Sequence, residues 1–284
     1  MMSTDQISYS SERIRKMLQD VIQKAYETKE SSETLTKMKR FWFYFQAKEG
    51  KINGYYQSDI FRIRIQNFSR PAGHVLVTCI HEVAHHVDFI IRNETKHDAT
   101  FYQVFYNLLV VAMGMGLLSK EQLLAIQDTN CVEKLEKHHG LIKYWIISPD
   151  NSYQDFVWIK CRSSILKKER VKKANYQFCS FEKVWYKQVP KKQMQVELDY
   201  LARYYKKSEY CAESIFNFSF SVVYYVSLRN GRIHKEELKK IGYFYEAYDL
   251  GAFTWNKILL ASQWPAEKAK LEKMKGLKVR ILLK

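Results

Sequence analysis

The stretch CIHEVAHHVDFIIRNETKHDATFYQVF, from Cys79 to Phe105, holds four of the chain's eight histidines and constrains the fold more than any other. His81, Glu82 and His85 spell HExxH. On a helix, residues four apart share a face about one turn apart, so two imidazoles placed this way reach one tetrahedral ion. The residue after the first histidine projects beside that stripe, where a carboxylate takes a proton from an activated water. Around the motif, Leu76, Cys79, Ile80, Val83, Val87 and Ile90 recur at helical spacing, which predicts an amphipathic helix from about Ala72 to Ile91. Pro71 suits the start of that helix. RNETK then breaks it, and DATFYQVFYNLLVVAM resumes with helical periodicity.

A catalytic zinc takes three protein ligands and keeps one position open. The candidates for the third ligand are His86, Asp88, Glu94, His97 and Asp98. His86 points about 100° away from His85 on the same helix. Asp88 lies on the ligand stripe but beyond the ion's reach, and is expected to hold a ligand imidazole from outside the coordination shell. Glu94 sits in the break. His97 follows a turn at the head of the next helix, so the chain can fold back and present it, and it is preferred over Glu94. These residues predict one catalytic Zn2+ on His81, His85 and His97, with Glu82 as general base. Asp98 is expected either to cap the next helix or to bond a ligand imidazole. A third histidine six residues after the second, preceded by Gly, would mark a metzincin; this spacing excludes that class. Tyr102 and Tyr106 are weighed as oxyanion donors, but aromatic residues at helical spacing more often fill a core.

HEVAH, eleven residues, and then HDATF resemble the SprT-like zinc metalloproteases. Their pattern is HExxH, a short excursion, then a histidine followed by a small residue and, four positions on, an aromatic. His81, Glu82, His85, His97 and Phe101 match it, and the resemblance covers roughly residues 10–130. It implies a compact zincin, a small mixed sheet packed on the motif helix, with the edge strand lining the cleft. It also implies peptide-bond hydrolysis in DNA-associated proteins. Two features depart from the family. Asp98 stands where Gly is usual, and the four-cysteine zinc ribbon of many relatives has only Cys161 and Cys179 as counterparts here.

Elsewhere, SSERIRKMLQDVIQKAYE spaces Ile14, Met17, Leu18, Val21 and Ile22 as a helix behind Ser10 or Ser11. GYYQSDIFRIRIQNF alternates, with Phe61, Ile63 and Ile65 on one face of a half-buried strand that is expected to align an extended substrate. KYWIISPD, DFVWIKCR and NYQFCSFEKVWYKQV read as short strands. From about residue 191 helical patterns return. The expected architecture is α+β: an SprT-like zincin domain at 1–140, a β-rich, ribbon-like basic module at 141–190, and a helical region at 191–284. No internal repeat is evident.

The charge of +16 is unevenly distributed. Residues 71–140 carry 5 Lys/Arg against 8 Asp/Glu, whereas 141–284 carry 28 against 14, so the excess follows the histidine segment. A basic half points to a polyanion, nucleic acid before a membrane surface; the plain alternative is a lysine-rich solvated face. The densest region offers Lys160, Arg162, Lys167, Lys168, Arg170, Lys172 and Lys173, with Lys183, Lys187, Lys191 and Lys192 nearby. Trp158, Tyr176, Phe178, Trp185 and Tyr186 are interleaved, either to stack on single-stranded bases or to form a small core. The five scattered cysteines form no CxxC pair, and neither a secretory leader nor a membrane-length apolar run is evident. A cytoplasmic chain acting on protein or peptide is therefore expected, with DNA as a further partner and no membrane. The rival is a nucleic-acid-binding protein whose zincin-like half is a non-catalytic scaffold.

Overall fold

The structure is a computed structural model that describes residues 11–126, 129–150, 156–162, 167–179, 184–214 and 222–283. It is mixed α+β with three small sheets. Helix α1 (Ser11–Tyr26) buries Ile14, Met17, Leu18, Val21 and Ile22, as its periodicity requires, while the expected cap at Ser10 or Ser11 lies outside the described side chains. After α2 (Ser32–Met38) come strands β1 (Trp42–Phe45), β2 (Gly54–Gln57) and β3 (Arg62–Ile65). They form a sheet of order β1-β3-β2, in which β1 runs parallel and β2 antiparallel to β3. Ile63 and Ile65 are fully buried beneath it. The strand expected to meet substrate, Phe61–Ile65, is therefore the central one. Both its edges are already hydrogen-bonded, so it cannot add a further strand; the outer strands are β1 and β2.

Helix α3 (Ala72–Arg92) runs across this sheet and ends at Asn93, whose φ of 59° supplies the left-handed turn that reverses the chain. Helix α4 (Ala99–Gly114) packs back against it, followed by α5 (Lys120–Leu124) and α6 (Thr129–His139). The segment KYWIISPD forms no strand; it begins within a short 3-10 turn at Ile142–Tyr144 and continues without regular structure.

The rest of the chain departs from expectation. It is a tandem repeat of one β-α-β-β-α-β unit. The first copy comprises β4 (Phe156–Cys161), α7 (Lys168–Lys173), β5 (Gln177–Cys179), β6 (Val184–Pro190), α8 (Met194–Ala202) and β7 (Tyr210–Ser214). The second comprises β8 (Val223–Arg229), α9 (Lys235–Lys240), β9 (Phe244–Tyr245), β10 (Trp255–Leu260), α10 (Trp264–Leu271) and β11 (Lys278–Leu282). The sheet orders, β5-β6-β4-β7 and β9-β10-β8-β11, are identical, and every pairing is antiparallel in both. The 141–190 module expected to be ribbon-like is thus the larger part of the first unit, which needs β7 beyond residue 190 to complete its sheet. The region 191–284, expected to be helical, carries β7 to β11. Of these strands β8 is buried from Val223 to Leu228, and a strand covered on both faces loses the alternation that identifies a half-exposed one.

Equivalent side chains do the same work in each copy. Lys187 donates to Glu197 at 2.8 Å, and Lys257 to Glu267 at 2.7 Å. Tyr176 donates to Glu197 at 2.9 Å, and Tyr243 lies buried beside Glu267, whose charge adds to burial in raising the tyrosine's pKa. Each lysine also lies over its tyrosine ring, at 5.5 and 5.4 Å. Glu267, the buried one of the two acids, is tolerable because Lys257 and Lys270 both donate to it. The second unit joins the core of the histidine-bearing half, and Tyr224 bonds there to Glu49 and accepts from the Phe68 N–H at 3.2 Å.

Candidate metal centre

The geometry of α3 places His81 and His85 on one stripe one turn apart, and the turn at Asn93 brings His97 back over them. His97 Nε2 lies 3.0 Å from His81 Nε2 and 3.1 Å from His85 Nε2. All three donor atoms fall within 4.8 Å of one another, the one such cluster among the described residues. Zinc–nitrogen bonds of about 2.0–2.1 Å at tetrahedral angles would set neighbouring nitrogens roughly 3.3 Å apart. Three ring nitrogens this close could hold one shared cation. The donor set fits zinc.

The surroundings keep the rings neutral. Burial lowers the His85 pKa to about 3, with a smaller push from His97. Burial holds His81 well below its ordinary value, aided by His85 and His97, and it lowers His97 as well. Neutral imidazoles keep a lone pair for a metal. His85 Nδ1 lies 2.7 Å from Thr95 Oγ1; with the Nδ1–H donating to that hydroxyl, Nε2 would be free for coordination. Phe101 is fully buried and touches all three rings, with centroids 5.1, 4.3 and 4.8 Å away. It forms an apolar floor that fixes their orientation.

Glu82 is 7 % exposed, and burial pushes its pKa up to about 8 against the opposing pull of the Tyr56 backbone N–H. Its carboxylate lies beside Gly54 at the start of β2. A methyl group added at Gly54 would sit 2.6 Å from Glu82 Oε1 and 2.8 Å from Thr78 Cγ2, so only glycine lets the strand approach. His81 and Glu82 open on a cleft of ≈ 280 Å³ bordered by Lys51, Asn53, Gly54 and His74. The edge that lines this cleft is β2, not the Phe61–Ile65 strand.

Of the two acids near the ligand rings, Asp88 does not take its expected role, whereas Asp98 takes one of its two, the helix cap. Asp88 is fully buried, and both its oxygens accept from Arg92, at 2.7 and 2.8 Å. Arg92 also donates to both oxygens of Asp98, at 2.7 and 2.9 Å. Asp98 accepts in addition from the Phe101 N–H at 3.1 Å, capping α4. Asp88 therefore holds no imidazole: one turn along the helix the bidentate guanidinium takes its carboxylate. The result is a clamp from the end of α3, through Arg92, to the residue adjoining His97. Arg92 holds the Asp98 carboxyl down at about 2. His86, set aside as a ligand, is buried and lies 3.1 Å from the Tyr56 hydroxyl. Glu94 pairs with Lys96 at 2.6 Å and is no ligand. Thr95 and Gly54 escape sequence reasoning. Nothing in RNETK singles out the threonine, and the glycine's neighbour is distant in the chain.

The proposed nucleic-acid residues divide. Lys160 is 5 % exposed on the central strand β4 and faces no solvent. Lys167 donates to the Tyr204 carbonyl at 2.8 Å, Arg170 stacks 4.2 Å over the Tyr204 ring, and Lys172 pairs with Glu169 at 3.0 Å. Arg162 and Lys173 are exposed and Lys168 is half-buried, while Lys183 lies outside the described residues. Of the interleaved aromatics, Trp158, Tyr176, Trp185 and Tyr186 are core; Phe178 alone is exposed, at 47 %. Cys161 is buried in β4, and the side chain of Cys179, its ribbon counterpart, lies outside the described ones. Tyr102 is buried and stacks on His138. Among the described residues no helix is long and apolar enough to cross a membrane.

No family model, curated protein or solved structure matches the chain.

Proposed function

We propose that the chain is a zinc-dependent endopeptidase of SprT-like type. The observation that carries this reading is the convergence of three neutral imidazoles beside a buried carboxylate in an open cleft. His81, His85 and His97 would hold one zinc ion, which when bound supplies a Lewis acid and a water of lowered pKa. Glu82 takes the proton of the attacking water and passes it to the leaving amine; its raised pKa suits both transfers near neutrality. The free edge of β2 pairs with an extended peptide by strand addition, which brings the scissile bond past Glu82. The basic second half supports substrates that are themselves bound to nucleic acid.

Zinc content and cleavage of casein or a mixed peptide library test the proposal. Wild type should bind one zinc per chain and cleave, while Glu82→Gln should keep the zinc and lose at least a hundred-fold in rate. A folded chain that takes up no zinc at neutral pH would defeat the reading, and a Glu82→Gln variant as fast as wild type would defeat the assigned base.

A further inference from the structure

The tandem units repeat surface chemistry as well as topology. Arg162 and Arg229 stand at the end of the first strand, and Lys168 and Lys235 open the first helix. On the next two strands Phe178 faces Trp185 in one copy and Tyr245 faces Trp255 in the other, with ring centroids 5.2 and 5.4 Å apart. In both copies the tryptophan is buried, while Phe178 and Tyr245 are about half exposed. In the second unit this edge opens on a cavity of ≈ 860 Å³, to which Arg229, Arg232 and Lys235 bring charge and Tyr245, Phe253 and Trp255 bring rings. Among the described residues no carboxylate pairs with Arg229 or Arg232.

The loop bearing Phe253 is built against its own backbone preferences. Glu246, Tyr248, Asp249 and Phe253 have φ of 52°, 63°, 51° and 58°, a left-handed region that costs free energy for side chains of this kind. The loop is nonetheless closed. The Phe253 N–H donates to Glu246 Oε1 at 2.7 Å, the Glu246 N–H to the Thr254 carbonyl at 2.7 Å, and Asn256 to the Ala247 carbonyl at 2.8 Å. Gly231 lacks the Cβ that would sit 2.8 Å from Trp255, so the indole packs flush with the turn carrying Arg232. Strain is thus maintained where it keeps a phenylalanine 78 % exposed beside Arg229 and Arg232.

We infer that the two units are paired sites for single-stranded nucleic acid. Bases stack on Tyr245 and Phe253 in the second unit and on Phe178 in the first, while phosphates meet Arg229, Arg232 and Arg162. Any base has a face to stack, and a cationic groove follows the backbone, so this chemistry selects a strand without reading its sequence. A duplex hides its base faces. Two like sites in one chain suit a ligand that repeats its own chemistry, because the second contact forms at high effective concentration. The inference stands apart from the zinc reading, since none of these residues borders the histidine cleft.

Fluorescence anisotropy of a labelled oligothymidylate, titrated with the full chain carrying Glu82→Gln, tests it. The expected result is salt-dependent binding, tighter than to a duplex of equal length. Phe253→Ala should weaken it roughly ten-fold, and Arg229→Ala with Arg232→Ala should reduce the salt slope by about 1.4. These positions are exposed, and circular dichroism of each variant confirms its fold. Unchanged affinity in both Phe253→Ala and Tyr245→Ala overturns the inference, as does equal affinity for the duplex. Thymidine monophosphate displacing the oligomer at equal nucleotide concentration also overturns it, and assigns the cavity to a mononucleotide. A chain that cleaves peptides but ignores the oligomer removes this inference and leaves the zinc proposal standing.

Discussion

At the scale of the residue, the site depends on contacts that admit little substitution. Gly54→Ala would set a carbon 2.6 Å from Glu82 Oε1, so either β2 or the carboxylate must move. Displacements of about 1 Å at a reacting group cost on the order of a hundred-fold in rate. The expected outcome is a kcat reduced about that much with one zinc still bound, read from steady-state cleavage alongside metal content. His97→Ala should instead abolish stoichiometric zinc binding, since two ligands on one helix leave the ion half-coordinated. Arg92→Lys probes the clamp. A point charge cannot bridge two carboxylates bidentately, so His97 loses its rigid mount. Zinc affinity measured against a competing chelator should fall about 10–100-fold, the usual range for groups that orient ligands. The meeting of His81, His85 and His97 beside Glu82 was legible because their spacing is a property of one helix and one turn. Asp88 was misread because helical geometry alone cannot show that Arg92, one turn on, captures its carboxylate.

At the scale of the element, the duplicated unit explains where the second half gets its stability. Lys187–Glu197 and Lys257–Glu267 each tie the third strand to the helix that follows it; Tyr176 adds a hydrogen bond to Glu197, and Lys270 adds one to Glu267. Replacing one member of a buried pair leaves the other uncompensated. Glu267→Gln, with Glu267 only 5 % exposed, should therefore cost about 3 kcal/mol. Denaturant titration would show this as a lower midpoint with an unchanged slope. The repeat left few traces in the chain. Trp185, Lys187, Glu197 and Leu201 recur as Trp255, Lys257, Glu267 and Leu271, but a longer loop between β9 and β10 shifts the register against the first strand and helix. Elsewhere the two copies share character rather than identity. The helical reading of 191–284 failed for a related reason: β8 is buried from Val223 to Leu228 without alternation, and periodicity cannot separate such a strand from a buried helix.

At the scale of the whole molecule, buried tyrosines couple folding to alkaline pH. Burial raises Tyr26 to about 12, and burial together with neighbouring Glu197, Glu49 and Glu267 pushes Tyr176, Tyr224 and Tyr243 well above the ordinary value. An unfolded tyrosine titrates near 10. Because the folded values lie above it, this contribution to stability is intact below pH ~10 and is lost as pH rises from there. Tyrosinate absorbance and loss of secondary structure should then appear together on alkaline titration. Separate transitions, with tyrosinate forming first in a folded chain, would contradict the assignment. Tyr224 adds a link between halves, since its bonds to Glu49 and Phe68 join the second unit to the histidine-bearing core.

The amino-acid order by itself determined the histidine pattern, the helix that displays it and the surplus of positive charge, because each follows from spacing within a short segment or from simple counting. Only the tertiary structure decided which strand borders the cleft, what Asp88 holds, and that the second half is one unit used twice. Those facts arise from contacts between residues far apart in the chain, where burial and pairing rather than local periodicity set the outcome.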